Sequence, residues 1–305
     1  MPRLFLLSSF ILFFVASCGP VTQPYPTVVL SDLEPLPAYD TSASTIPLRV
    51  AIAAIISPQG TAESYAPLLD YLGTSLSRPI ELVQRRTYAE VNDLIEQGEV
   101  DLAFVCTKAY VTGHRDFGME LLAVPQVGGE TIYHSVLIVP ADSSARSMAD
   151  LRGLVFAFTD PLSFTGRTYS TYLVQRLGET PATFFERTFY TYSHDDAIRA
   201  VAEGLADGAG VDSLVYEFAL TREPELGQRT RIIHRSPPFG MPPVVVNSSI
   251  RPQLGAQLQE ILLQMDDDPQ GRTALAAVGF DRFVVVEDDD YDSVRELEQQ
   301  VGPLP

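Results

Sequence analysis

Three short segments of the 305-residue chain combine side chains able to hold a small anion. The first is Asp160-Pro161-Leu162-Ser163-Phe164-Thr165-Gly166, a polar turn between an apolar run ending at Thr159 and a helical pattern starting near Gly166. Free backbone N–H groups at such a helix start favour an anion. Ser163 and Thr165 add hydroxyl donors, and Gly166 would let the backbone approach an oxyanion closely. The plainer reading is an N-cap that satisfies only the helix's own amides. The second segment, Ser193-His194-Asp195-Asp196, has the S-x-x-[DE] form of a capping box, and His194 could donate to an oxyanion or be a structural histidine at a helix start. The third centres on Asp212, after the short apolar run Ala209–Val211. It would either accept a proton from a partly protonated oxyanion, rejecting a fully ionised competitor, or cap the following helix Ser213–Phe218. Tyr88 and Tyr133 carry phenol donors on apolar bodies, suited to closing over a small ligand or to the core and its rim, and Tyr110 is a weaker candidate of the same kind.

These residues need a scaffold of alternating strands and helices. Leu48–Ile55, Ile80–Val83 and Leu102–Val105 read as buried parallel strands, separated by helical faces at Tyr65, Leu68, Leu69 and Leu72 and at Tyr88, Val91, Leu94 and Ile95. A second series follows Tyr133–Val139: strand Leu154–Thr159, helix Gly166–Leu177, strand Thr188–Tyr192, the helix begun by Ser193, and strand Ala209–Val211. After Pro242–Val246, helices around Gln253–Met265, Gly271–Val278 and Tyr291–Val301 surround a strand at Phe283–Val286. The expected fold is therefore α/β, with two doubly wound lobes joined by crossover strands at Ser135–Val139 and Val244–Val246. Residues 47–134 with 247–305 form the first lobe and residues 135–246 the second. In such sheets the loops at the carboxyl ends of the strands converge on one crevice, which would bring Ser163, His194 and Asp212 together.

The N-terminus reads as an export signal over residues 1–17, with Arg3 at the charged end, an apolar run from Leu4 to Val15 and Ala16-Ser17 before Cys18. That run falls short of the roughly 20 residues of a spanning helix. Val15-Ala16-Ser17-Cys18 resembles the bacterial lipobox, in which the cysteine is acylated, so Cys18 is expected to carry a lipid anchor outside the cell membrane. Residues 18–46, rich in Pro, Ser and Thr without period, read as a disordered tether. Lipidation of Cys18 would leave Cys106 as the one remaining thiol, excluding a disulfide and a cysteine-based metal site. With 39 acidic against 21 basic residues the formal charge is −18, which argues against nucleic acid and against long-range steering of anions. The acidic runs Asp266-Asp267-Asp268 and Glu287–Asp292 read as solvated faces, and no metal or cofactor is expected.

Ser163, His194 and Asp212 could also be read as a hydrolase triad, since triads are recognised by geometry and not by chain order. Ser163 lacks the G-x-S-x-G elbow that exposes a nucleophile, however, and nothing marks a separate oxyanion hole.

Six segments share order and spacing with a known family: Tyr88-Ala89-Glu90-Val91, Gly98 to Phe104, Tyr133-His134-Ser135, Asp160 to Gly166, Ser193 to Ile198 and Asp290-Tyr291-Asp292. From about Leu48 to Leu297 the chain resembles the phosphate-, phosphite- and phosphonate-binding lipoproteins and periplasmic proteins that feed ABC importers, within the type II periplasmic binding-protein superfamily. The resemblance implies a monomeric two-lobed clamp that holds a small tetrahedral phosphorus oxyanion and delivers it to a membrane permease, without catalysis. It places ligand contacts on Tyr88, Tyr133, Ser163, Thr165, Gly166, His194 and Asp212. A sensor-kinase partner, or a related anion such as nitrate or a sulfonate, stays open as an alternative. Two departures stand out. Ser163-Phe164-Thr165-Gly166 replaces the usual Ser-Thr-Ser-Gly, losing the middle hydroxyl, and Pro237 to Pro243 lacks the acid carried by some binders of amine-bearing phosphonates.

Overall fold

A computed structural model describes residues 46–303. The signal segment, Cys18 and all but the last residue of the expected tether lie outside the described residues. Thirteen strands occur in the described chain: β1 (Leu48–Ile52), β2 (Ile80–Val83), β3 (Leu102–Phe104), β4 (Glu120–Gln126), β5 (Ile132–Tyr133), β6 (Ser135–Pro140), β7 (Val155–Phe158), β8 (Arg187–Tyr190), β9 (Gly208–Asp212), β10 (Thr230–Arg235), β11 (Phe239–Gly240), β12 (Val244–Val246) and β13 (Arg282–Val284). They form a six-stranded sheet ordered β13-β4-β12-β3-β1-β2, a five-stranded sheet ordered β10-β6-β9-β7-β8, and a two-stranded ribbon β11-β5. In each large sheet three strands run parallel, β2-β1-β3 and β9-β7-β8, and antiparallel strands complete it. We call the first sheet with its helices the first lobe and the second sheet with its helices the second lobe.

The two apolar runs expected to cross between lobes are strands inside the sheets. Ser135–Pro140 lies between β10 and β9, and Val244–Val246 pairs with both β3 and β4, so residues 244–246 belong to the first sheet. Their continuous burial reflects neighbours on both sides and not a passage between lobes. The chain passes between sheets at the adjacent ribbon, where Phe239 pairs with Tyr133 and Gly240 with Ile132.

Local chemistry explains the helices that frame the site. Thr87 accepts from the Glu90 amide while the Glu90 carboxylate accepts from the Thr87 amide, a full capping box that starts the helix Tyr88–Glu96. Ser57 caps Pro58–Leu76 with proline in the first turn. The helix Thr107–Phe117 and the strands β4 and β10 carry weak sequence signals. Cys106 makes no side-chain cap, β4 contains Pro125, and β10 slips register between Ile232 and His234. The expected helix Gly166–Leu177 begins earlier and differently, as a π-helical turn Phe164–Thr168 that runs into the α-helix Tyr169–Gln175. π turns inside helices are rare and concentrate at functional sites.

Buried apolar side chains fill both faces of each sheet, and one cluster is continuous across the lobes, joining Tyr88, Cys106 and Tyr110 to Phe164, Tyr169 and Phe239. The lobes are thus shut against each other. Gly166 has a packing role within this arrangement: a Cβ there would stand 1.9 Å from Thr159 Oγ1 and 2.8 Å from Thr159 Cγ2. The glycine lets the π turn sit on the end of β7. Gly166→Ala should therefore destabilise the fold by about 1–3 kcal/mol in urea unfolding, as overpacking does, with only partial recovery in Gly166→Ala/Thr159→Ala; wild-type stability would refute the contact.

Candidate ligand-binding site

The loops after β7 and β9 and the start of the helix His194–Ala202 meet the first lobe where the helices Tyr88–Glu96 and Thr107–Phe117 begin. Ser163 Oγ lies 3.5 Å from His194 Nε2, the Asp212 amide donates to His194 Nδ1 at 3.0 Å, and the Ser135 hydroxyl donates to the Thr165 carbonyl at 2.9 Å. Across the cleft, the Tyr88 amide donates to Asp160 Oδ2 at 3.2 Å and the His194 amide to the Ile55 carbonyl at 2.9 Å. The seven residues singled out in the sequence are all buried in this region.

Six buried side-chain polar atoms lack a hydrogen-bond partner among the described residues, and four belong here: the hydroxyls of Tyr88, Tyr133, Thr159 and Thr165. Buried polar atoms are nearly always paired in folded proteins, so these four hydroxyls, on candidate residues or on the strand end beside them, stand out as unmet donors. Burial raises both phenol pKa values well above the ordinary range, and the nearby Cys106 and Asp212 push in the same direction. Both tyrosines therefore stay neutral donors. Burial also drives the Cys106 thiol up to about 12, so it too is uncharged.

His194 is held as a neutral donor. Burial lowers its pKa to about 3, against an opposing contribution from Asp195. Because Nδ1 accepts from the Asp212 amide, the proton sits on Nε2, which faces Ser163. Asp212 is pushed up to about 7 by burial, although its Oδ1 accepts from the Leu214 and Val215 amides at 2.7 and 3.3 Å as the cap of the helix Ser213–Arg222. The capping alternative for Asp212 is thus realised. Ser163 likewise caps, accepting from the Gly166 amide at 3.0 Å.

A hydrolase triad does not assemble from these groups. The contact between Asp212 and His194 runs through the aspartate's backbone amide, while its carboxylate faces its own helix start. No carboxylate orients the imidazole in the way a triad requires.

Other candidates resolve on geometry. The Tyr110 hydroxyl donates to Asp288 at 2.7 Å and is not available to a ligand. Lys108 donates to Thr168 at 3.0 Å and pairs with Glu298 at 3.5 Å, while the Arg167 guanidinium lies 4.5 Å from the Phe158 ring centroid and donates to Thr171. Phe164, which replaces the middle hydroxyl, is fully buried edge-on to Phe239 with centroids 4.6 Å apart, tying the loop to the ribbon. Sequence reasoning missed Thr159, Cys106 and Tyr192. Thr159 sits at a strand's carboxyl end like Asp212, so the same rule could have found it. Tyr192 takes a left-handed φ of 63° directly before Ser193-His194, strain that no pattern of residue types reveals. Beside Asp212 opens a cavity of about 90 Å³ walled by apolar groups, among them Ile55, Phe104, Phe218, Pro242 and Pro243.

The family model for "ABC transporter, phosphonate, periplasmic substrate-binding protein" matches residues 50–291. The chain belongs to this family. It is similar to the phosphate-import protein PhnD of Mycolicibacterium smegmatis, 26% identical over 237 residues, covering 73% of this chain and 74% of that one. Among solved structures, a binding-protein component of an ABC phosphonate transporter from Pseudomonas aeruginosa superposes with a TM-score of 0.79 at 22% identity, covering 84% of this chain and 86% of that one. PhnD1 of Prochlorococcus marinus, in complex with methylphosphonate, gives 0.76 at 17% identity, covering 83% and 97%. These likenesses fix the type II periplasmic binding-protein fold. A member of this family works outside the cytoplasm with a small ligand and a membrane permease, and no described helix is long and apolar enough to cross a membrane.

The raised Asp212 pKa gives this binding protein a pH signature. With the folded value near 7 above the ordinary 3.9, the folded state holds the proton more tightly, so this contribution is fully present below pH 4 and lost as pH rises through 7. Asp212→Asn keeps an oxygen for the two amides. It should melt several degrees above wild type at pH 8 and together with it at pH 4; equal melting at both would show an unshifted carboxyl.

Proposed function

We propose that the protein captures a small phosphorus oxyanion between its lobes and hands it to an ABC permease, without catalysing a reaction. The observation that carries this reading is that four buried hydroxyls, on Tyr88, Tyr133, Thr159 and Thr165, lack a partner among the described residues, while neutral His194, 3.5 Å from Ser163, bears its proton on Nε2. A tetrahedral oxyanion offers several acceptor oxygens to such donors, and Ser163, Thr165 and Gly166 form the loop that would cradle it. Donors that are neutral and fixed suit a ligand gripped at hydrogen-bond distance, where the chain's net charge of −18 is screened. The match to the phosphonate-binding family and the likeness to a methylphosphonate-bound protein support the ligand class. The lipobox-like Val15–Cys18 and the tether pattern support anchoring through lipid on Cys18.

A thermal-shift series with methylphosphonate, phosphite, phosphate, sulfate and nitrate tests the proposal, since a ligand at a hundred times its Kd stabilises by about 2.7 kcal/mol. Methylphosphonate should give the largest shift and nitrate none. Tyr133→Phe and His194→Ala should each weaken binding by about tenfold or more, the loss of a hydrogen bond to a charged group. Silence from every phosphorus compound at millimolar concentration would overturn the ligand class.

A further inference from the structure

Two carboxylates of the second lobe share a division of labour that the ligand site does not use. Asp160 accepts from the Leu162 amide of its own loop through Oδ1, at 2.7 Å, and from the Tyr88 amide of the first lobe through Oδ2, at 3.2 Å. Asp195 holds Arg199 of its own helix through Oδ2, at 3.0 Å, and accepts from the Ser57 amide of the first lobe through Oδ1, at 2.8 Å. Both side chains are buried.

The first-lobe partners are equivalent places. Tyr88 is the first residue of the nine-residue helix Tyr88–Glu96, and Ser57 is the N-cap of the nineteen-residue helix Pro58–Leu76. The first amides of a helix have no partner within it and carry the positive end of its dipole. The Thr87–Glu90 box uses the amides of Thr87 and Glu90 and leaves that of Tyr88 over. Buried in a residue with no exposed surface, this amide needs an acceptor other than water, and Asp160 supplies it. The His194 amide, itself the first of a second-lobe helix, makes the reciprocal bond to Ile55.

We propose that Asp160 and Asp195 are positioning residues that latch the clamp by capping, across the cleft, the starts of two first-lobe helices. They hold the lobes shut without touching the ligand, so they set how long it is retained. The inference rests on the clamp reading above. It assigns retention to backbone amides and carboxylates on both flanks of the donor cluster. Ties at the rim act beside them, with Arg86 over the Tyr192 ring at 4.1 Å and Arg222 donating to Ser64 at 2.7 Å.

Asp160→Asn is the decisive variant, because its amide oxygen still receives Leu162 while its NH2 turns a donor toward the Tyr88 amide. Hydrogen–deuterium exchange of the full chain without ligand should show the Tyr88 segment and also the Ser57 segment exchanging about tenfold faster, with the Leu162 segment protected as in wild type. The Ser57 response separates a latch from local damage, since Asp160 does not touch that residue. Asp195→Ala should speed the Tyr88 segment in the same way. Release of methylphosphonate should be about tenfold faster in either variant. Wild-type exchange at the remote segment in both variants would overturn the latch. If the wild-type protein binds none of the phosphorus compounds, the functional reading fails while the exchange measurement still decides this proposal.

Discussion

Shutting two lobes over a cleft buries polar groups, and each buried donor then needs an acceptor. The rest of this structure follows from how that demand is met. Backbone amides at the lobe boundary find carboxylates or carbonyls of the opposite lobe, as Tyr88 does with Asp160 and His194 with Ile55. Four buried hydroxyls, of Tyr88, Tyr133, Thr159 and Thr165, find no partner among the described residues. An unpaired buried hydroxyl costs roughly 1–3 kcal/mol, and the proposed ligand is what would complete the set.

The chemistry of the cluster runs against the charge of the chain. The protein is strongly acidic, and the nearby cations Lys108 and Arg167 are engaged with Thr168 and Glu298, and with Phe158 and Thr171. The helices that begin at Tyr88, Thr107, His194 and Ser213 each carry the positive end of a dipole at that start. A preorganised set of neutral donors discriminates by shape and by the number of acceptor oxygens, where a free cation would accept any anion.

Position is set by strand ends and a few tight contacts. Thr159, Asp160 and Asp212 all stand at carboxyl ends of β7 and β9, one edge of the second sheet. The Gly166–Thr159 contact seats the π turn there, and Phe164 against Phe239 joins that turn to the ribbon between the lobes. In place of the middle hydroxyl, the Phe164 ring thus serves the joint between the lobes.

Much of this was legible in the residues. Alternating apolar runs and helical faces identify the α/β lobes, because burial on both sides of a parallel strand demands such runs, and Ser163, His194 and Asp212 follow or end strands of one sheet whose carboxyl ends meet. What was misplaced depends on contacts distant in sequence. Val244–Val246 and Ser135–Val139 are apolar whether they cross between lobes or lie inside sheets, and only the pairing partners distinguish the two. Asp212 has two readings in sequence, ligand acceptor or helix cap, and the hydrogen bonds from the Leu214 and Val215 amides show that it caps. By itself, then, the sequence determined the fold class, the loop chemistry and the acidic surface, all properties of local pattern. Which hydroxyls are left without partners, which carboxylate caps which helix and which histidine nitrogen bears the proton were decided by tertiary structure, because each depends on what a distant segment places within 3 Å or so of the atom concerned.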